Sequence, residues 1–163
     1  MHRNFLDLYD RYFDDVYRYI YFKTGNKWDA DDLAGDVFRK AFEKFASVNT
    51  NPKAWLFTIA RNTLTDFYRI RGKNILNEED IDSYAYPVDS ETELYKKEEL
   101  GFLREALSRL TKEELEIINL RYFSDMKYNE IGILLGKSED SVKMKAGRII
   151  KKLKSILEQY MEG

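Results

Sequence analysis

Between Gly136 and Lys154 the chain places seven cations, Lys137, Lys143, Lys145, Arg148, Lys151, Lys152 and Lys154, against only Glu139 and Asp140, although its formal net charge is −2. Ammonium and guanidinium groups at this density suit phosphate binding, and a guanidinium such as that of Arg148 can also grip guanine through two parallel hydrogen bonds. A second set lies upstream, where Arg39, Lys40, Lys44, Lys53, Arg61, Arg69 and Arg71 alternate with Phe38, Phe42, Phe45, Trp55, Phe57, Phe67 and Tyr68. Aromatic rings stack on unpaired bases while cations follow the backbone, so this mixture suits single-stranded or melted DNA. For each ring, burial in a core competes with base contact. A third set, Asp29, Asp32 and Asp36, recurs at helical spacing and could gather a divalent metal for phosphodiester cleavage. That enzymatic reading lacks a nearby histidine, a general-base constellation and a phosphate-binding glycine loop.

Charge is segregated along the chain, and the segregation says more about partners than the total does. Residues 1–38 hold five cations and eight anions, 39–73 eight and two, 74–99 two and nine, 100–136 five and six, and 137–163 seven and four. Two basic segments therefore flank an acidic connector. There is no cysteine, and the sole histidine, His2, sits at the start of the sequence, which removes disulfides and thiolate metal sites from consideration. No cofactor or metal is expected. With 44% hydrophobic and 34% charged residues and no long uncharged apolar run, the composition predicts a packed core without membrane insertion. The opening "MHRNFLDLYD" does not read as a secretory signal, so the expected location is cytoplasmic.

The elements that must position these groups are helices. Phe5, Leu8, Tyr9, Tyr12, Phe13, Val16 and Ile20 recur every three or four residues and predict a helix over 5–20. Gly25 and Asn26 break it. Asp29 then offers a cap for a helix bearing Leu33, Val37, Ala41 and Phe45, and after "SVNTNP" a third helix, from Lys53 to about Arg71, carries Leu56, Ile59, Ala60, Leu64 and Phe67 on one side. From Gly72 to about Glu93 periodicity fails and acids accumulate around Pro87, as in a solvated linker. Apolar spacing resumes at Leu100, Leu103, Leu107 and Leu110, and Thr111 with Glu114 forms a capping-box pattern. "YNEIGILLG" reads as a short helix stopped at Gly136, and Ser138 caps a longer one with Val142, Ala146, Ile149, Leu153 and Ile156 inward. The expected fold is all-α: a helical domain over 1–73, an acidic linker over 74–98, and a helix-turn-helix domain over 99–163. In a helix-turn-helix the second helix enters the major groove, which would present Ser141, Lys143, Met144, Lys145, Arg148, Lys151 and Lys152 to DNA.

Three blocks, "DADDLAGDVFRKAFEKF" (29–45), "PKAWLFTIARNTLTDFYR" (52–69) and "YNEIGILLGKSEDSVK" (128–143), resemble in order the recurrent blocks of bacterial extracytoplasmic-function (ECF) sigma factors. The resemblance spans nearly the whole chain, and "WLFTIARN" is its most specific piece. It implies two helical domains, regions 2 and 4, that bind core RNA polymerase and select promoter DNA, with no enzymatic activity of their own. By position in these blocks, Asp31, Asp32, Leu33 and Asp36 would meet a coiled coil on the largest polymerase subunit. The loop "ASVNTNP" would capture a base flipped from the minus-ten element through Asn49 and Asn51, with Lys53, Trp55, Arg61, Asn62 and Arg69 beside it on the melted or junction DNA. Region 4 would read the minus-thirty-five element. Here Met144, Lys145 and Gly147 depart from common family forms, while Arg148 retains an arginine; Gly35 and Asp36 replace a usual glutamine and glutamate. The family resemblance also implies an anti-sigma protein, and the free protein is expected to be a monomer. The alternative is a stand-alone helix-turn-helix regulator that binds duplex DNA without polymerase.

Overall fold

The computed structural model describes residues 4–71 and 93–162, and these residues form seven α-helices with no strand among them. His2 and most of the acidic connector lie outside the described residues. Helix α1 (Phe5–Thr24) starts where the Asn4 side chain accepts the Asp7 N–H at 2.9 Å, and it runs one turn beyond the expected end before Gly25 stops it. Helix α2 (Lys27–Glu43) is capped by Asn26, whose side chain accepts the Asp29 N–H at 3.1 Å, and not by Asp29 itself. Asp29 falls inside the first turn, where its carboxylate complements the positive helix end and meets Arg71 at 3.3 Å. After a 3₁₀ turn (Phe45–Ser47), Asn51 caps α3 (Pro52–Ile70), and Pro52 occupies the first turn, where a missing N–H costs no helical bond.

The second half begins with α4 (Glu93–Ser108), which starts inside the stretch that the sequence pattern assigned to the linker. Helix α5 (Lys112–Ile118) has both capping-box bonds: the Thr111 hydroxyl accepts the Glu114 N–H, and Glu114 accepts the Thr111 N–H. It widens into a π-helical stretch, Asn119–Phe123, where the Asn119 carbonyl receives both the N–H and the hydroxyl of Ser124. Helix α6 (Tyr128–Leu135) ends at Gly136, whose φ of 70° is cheap only for glycine, and α7 (Glu139–Glu162) follows with the Ser138 hydroxyl accepting the Ser141 N–H.

The turn between α6 and α7 also needs Gly132. A Cβ there would lie 2.6 Å from the Lys137 carbonyl oxygen, a backbone atom held in the turn by the Lys137 N–H bond to Gly132. Gly132→Ala is therefore expected to cost about 1–3 kcal/mol, the usual penalty for overpacking. Gly101→Ala, which meets nothing within 4 Å on an exposed helix face, should be neutral or slightly stabilising. Comparing the two urea midpoints checks the claim; equal effects would show that the turn yields freely.

Packing joins the two halves. One core gathers Leu8, Val16, Ile20, Leu33, Val37, Leu56, Phe57 and Leu64 from α1 to α3, and into it the second half inserts Leu120, Met126 and Ile131. The other core collects Ala106, Leu107, Leu115, Ile118, Ala146, Ile149 and Leu153, and receives Phe22 from α1, whose ring lies 4.7 Å from that of Phe123. Each exchange buries apolar side chains that either half alone would leave in water, at about 1.5–3 kcal/mol per large side chain.

Candidate nucleic-acid interface

Helix α7 divides as its periodicity predicts. Val142, Ala146, Ile149, Leu153 and Ile156 are buried, while Ser141, Lys143, Met144, Arg148, Lys151 and Lys152 are exposed and Lys145 is half-buried. A shallow depression lined by Lys137, Ser138, Asp140, Ser141, Met144, Lys145 and Arg148 marks the start of this face. The cations are not equivalent. Glu113 of α5 holds the Lys137 and Lys145 ammoniums, each at 2.7 Å, and Glu114 holds Lys152 at 3.0 Å. Among the described residues Lys143, Arg148 and Lys151 have no carboxylate partner.

The upstream basic set splits in two. Asn62 and Arg69 of α3 line an open groove of about 540 Å³, completed by Arg39 and Lys40 of α2 and Lys44 just after it; Glu43 and Asp66 line it too and pair with Arg39 at 3.0 Å and Arg69 at 3.3 Å. Beside it, the loop before α3 folds on its own asparagines: Asn49 Oδ1 accepts the Asn51 N–H at 2.9 Å, and Asn51 Oδ1 caps α3. With both carbonyl oxygens engaged, the side-chain NH₂ donors are what the loop can offer to acceptors on a base edge. Lys53 and Arg61 point elsewhere. Lys53 is 4% exposed, donating to Asp15 at 2.9 Å and to the Asp125 carbonyl at 2.7 Å, and Arg61 donates to Glu116 at 3.3 Å. Trp55 is half-buried against the first core. The rings divide likewise, since Phe38, Phe57 and Tyr68 are buried whereas Phe42 is 64% exposed, edge-on to the Phe5 ring of α1 at 5.2 Å.

On α2 the side away from the core carries Asp31, Asp32 and Asp36, the last loosely paired with Arg39 at 3.9 Å. Leu33 is buried and faces the core, so it supports this surface from beneath. Trp28, 73% exposed and one turn before Asp32, extends the same face. Among the described residues no group of three or more histidine, cysteine or acidic side chains is gathered as a metal ion would need. No helix among them is long and apolar enough to cross a membrane.

Comparison with known proteins follows this division. Residues 8–74 match the family model for sigma-70 region 2, and residues 103–153 match that for sigma-70 region 4. The RNA polymerase sigma factor YlaC of Bacillus subtilis is 30% identical over 162 residues, covering 96% of this chain and 93% of its own length. The chain belongs to the extracytoplasmic-function sigma factor family. The ECF sigma factor BldN of Streptomyces coelicolor is also 30% identical, over 156 residues and 92% of this chain; the chain spans 59% of the length of that relative. In fold, it is similar to the sigma factor RpoE of Bartonella quintana, solved with the anti-sigma factor NepR, at a TM-score of 0.66 and 24% identity over 94% of this chain and 96% of that one.

In this sigma factor the groove and loop belong to region 2 and the α7 face to region 4, and the two regions touch through a polar cluster that the sequence pattern did not indicate. Glu116 of region 4 accepts from the Tyr19 hydroxyl, Lys23 and Arg61 of region 2, and the Asn119 amide donates to the Tyr19 carbonyl. Arg18 donates to the Phe123 carbonyl while also pairing with Asp15. Arg39, Lys40 and Lys44 of the upstream basic set line the groove, whereas Trp28 was not singled out from the sequence. The available signal for Trp28 was its position on α2 away from Leu33 and Val37.

Proposed function

We propose that the protein is a non-enzymatic initiation factor that binds core RNA polymerase through the α2 face and promoter DNA through two separate basic surfaces. The observation that carries this reading is that the two surfaces lie on different matched regions and have different character. The region 2 groove, with Arg39, Lys40, Lys44, Asn62 and Arg69, together with the Asn49 and Asn51 loop, suits a melted minus-ten element. The α7 face, with Ser141, Lys143, Met144, Lys145, Arg148, Lys151 and Lys152, suits a duplex minus-thirty-five element. Asp31, Asp32, Asp36 and Trp28 make the polymerase contact, with Leu33 fixing the helix beneath them. Melting needs no hydrolysis, because captured bases exchange pairing for binding energy.

Region 2 is assigned to residues 1–73 and region 4 to 99–163. The expected partners are core polymerase, promoter DNA and an anti-sigma protein, in the cytoplasm, with a monomer as the free form. The test is titration into cognate core polymerase with transcript-end mapping on fragmented genomic DNA. Discrete starts that share paired upstream motifs support the reading; stable sequence-specific duplex binding without polymerase, and no specific transcript with it, would favour a stand-alone regulator. Arg148→Ala should then weaken use of the preferred upstream element by about 1–3 kcal/mol, the range for a bidentate base contact. Unchanged base preference would remove Arg148 from that role.

A further inference from the structure

The turn before α7 and α7 itself carry seven cations in sequence, yet region 4 spends three of them internally. Glu113 divides its two oxygens between Lys137, in the turn, and Lys145, on the exposed side of α7, with both contacts at 2.7 Å. Lys152, one turn beyond Arg148, is taken by Glu114. The Lys137 ammonium, and after it that of Lys145, hold the Glu113 carboxyl down at about 2. A carboxylate set between two ammoniums offsets part of the charge and takes one of the donors that each lysine would otherwise offer to a phosphate.

Resting on the duplex-binding reading of α7, we infer that Glu113 is a specificity-determining residue that masks Lys137 and Lys145 and so suppresses sequence-independent attraction to DNA. Non-specific affinity comes almost wholly from phosphate neutralisation and scales with the number of cations that release counterions. Masked cations contribute little to that sum. Arg148, Lys143 and Lys151, which lack carboxylate partners among the described residues, then dominate the encounter, and base readout by Arg148 weighs more against the background. Glu113 is a positioning residue in this account, because it acts through the two lysines.

The test uses the full chain bound to core polymerase. Its retention is measured on a random-sequence duplex and on the upstream element recovered by start mapping, across a salt series. For Glu113→Gln, affinity for the random duplex should rise about three- to tenfold and the log–log salt slope should steepen by about 1–2, near 0.9 per phosphate gained. The ratio of specific to random binding should fall. A residue that merely pins the turn would instead weaken both duplexes together. In an otherwise unchanged chain, Lys151→Met should flatten the slope by about 0.9, and Lys145→Met, whose charge Glu113 already offsets, should flatten it by less than half as much. That comparison holds even if Glu113→Gln folds poorly. Equal flattening by the two lysine variants, or an unchanged slope in Glu113→Gln, overturns the masking role. Failure of the unaltered chain to prefer the recovered element would instead overturn the duplex-binding reading itself.

Discussion

Lys53→Met is expected to lower the unfolding free energy by about 3–5 kcal/mol, the loss seen when one partner of a buried ion pair is removed. The ammonium is almost wholly enclosed, with Asp15 at 2.9 Å, the Asp125 carbonyl at 2.7 Å, and the rings of Tyr12 and Phe57 within 6.0 Å. Methionine fills a similar shape but leaves Asp15 with only Arg18, and leaves the Asp125 carbonyl without its donor. Asp125 adopts a φ of 55°, uncommon for a residue with a side chain, so the same ammonium also steadies the turn that leads into α6. Urea unfolding measures the cost. Adding Asp15→Asn should recover part of it, since the carboxylate that lost its ammonium is then neutral; equal stability of Lys53→Met and the unaltered protein would show that Lys53 is not enclosed between the two regions.

Glu116→Ala should cost about 2–4 kcal/mol and loosen the contact between regions 2 and 4. Its carboxylate receives the Tyr19 hydroxyl at 3.0 and 3.1 Å, Lys23 at 3.2 Å and Arg61 at 3.3 Å. Truncation leaves two cations side by side and a buried hydroxyl without its acceptor. Energy transfer between dyes on α2 and α7, read alongside urea unfolding, should report a longer mean distance as well as a lower midpoint. An unchanged distance would show that the exchanged apolar groups, Phe22 and Leu120 among them, hold the regions together alone. Tyr19→Phe separates the hydroxyl from the charges, and its effect should be non-additive with Glu116→Ala because the two share one hydrogen bond. Burial, followed by the nearby Glu116 charge, raises the Tyr19 pKa well above 10.0. Stability from keeping it neutral is fully present below that value and is lost as pH rises toward the higher folded value, so Tyr19→Phe should also flatten the alkaline arm.

Helix positions, caps and inward faces could be read from the chain because they depend on neighbours three or four residues apart. Thr111 with Glu114, Gly136 and Ser138 sit where local backbone groups need satisfying, though the α2 cap fell to Asn26 and not to Asp29, and the α7 apolar stripe follows from a 3.6-residue period. The division into two basic surfaces was readable for the same reason, since charge runs along a helix are local. What a given cation faces is not local. Lys53 and Arg61 have the composition of DNA contacts, and only the packing of α1 and α3 against α5 and the π-helical stretch turns them toward Asp15, Asp125 and Glu116. Glu113 reads in sequence as an ordinary first-turn acid. Its pairing with Lys137 and Lys145 exists only once α5 lies beside α7, because a charge's partner is chosen by distance in space, and tertiary packing alone sets that distance.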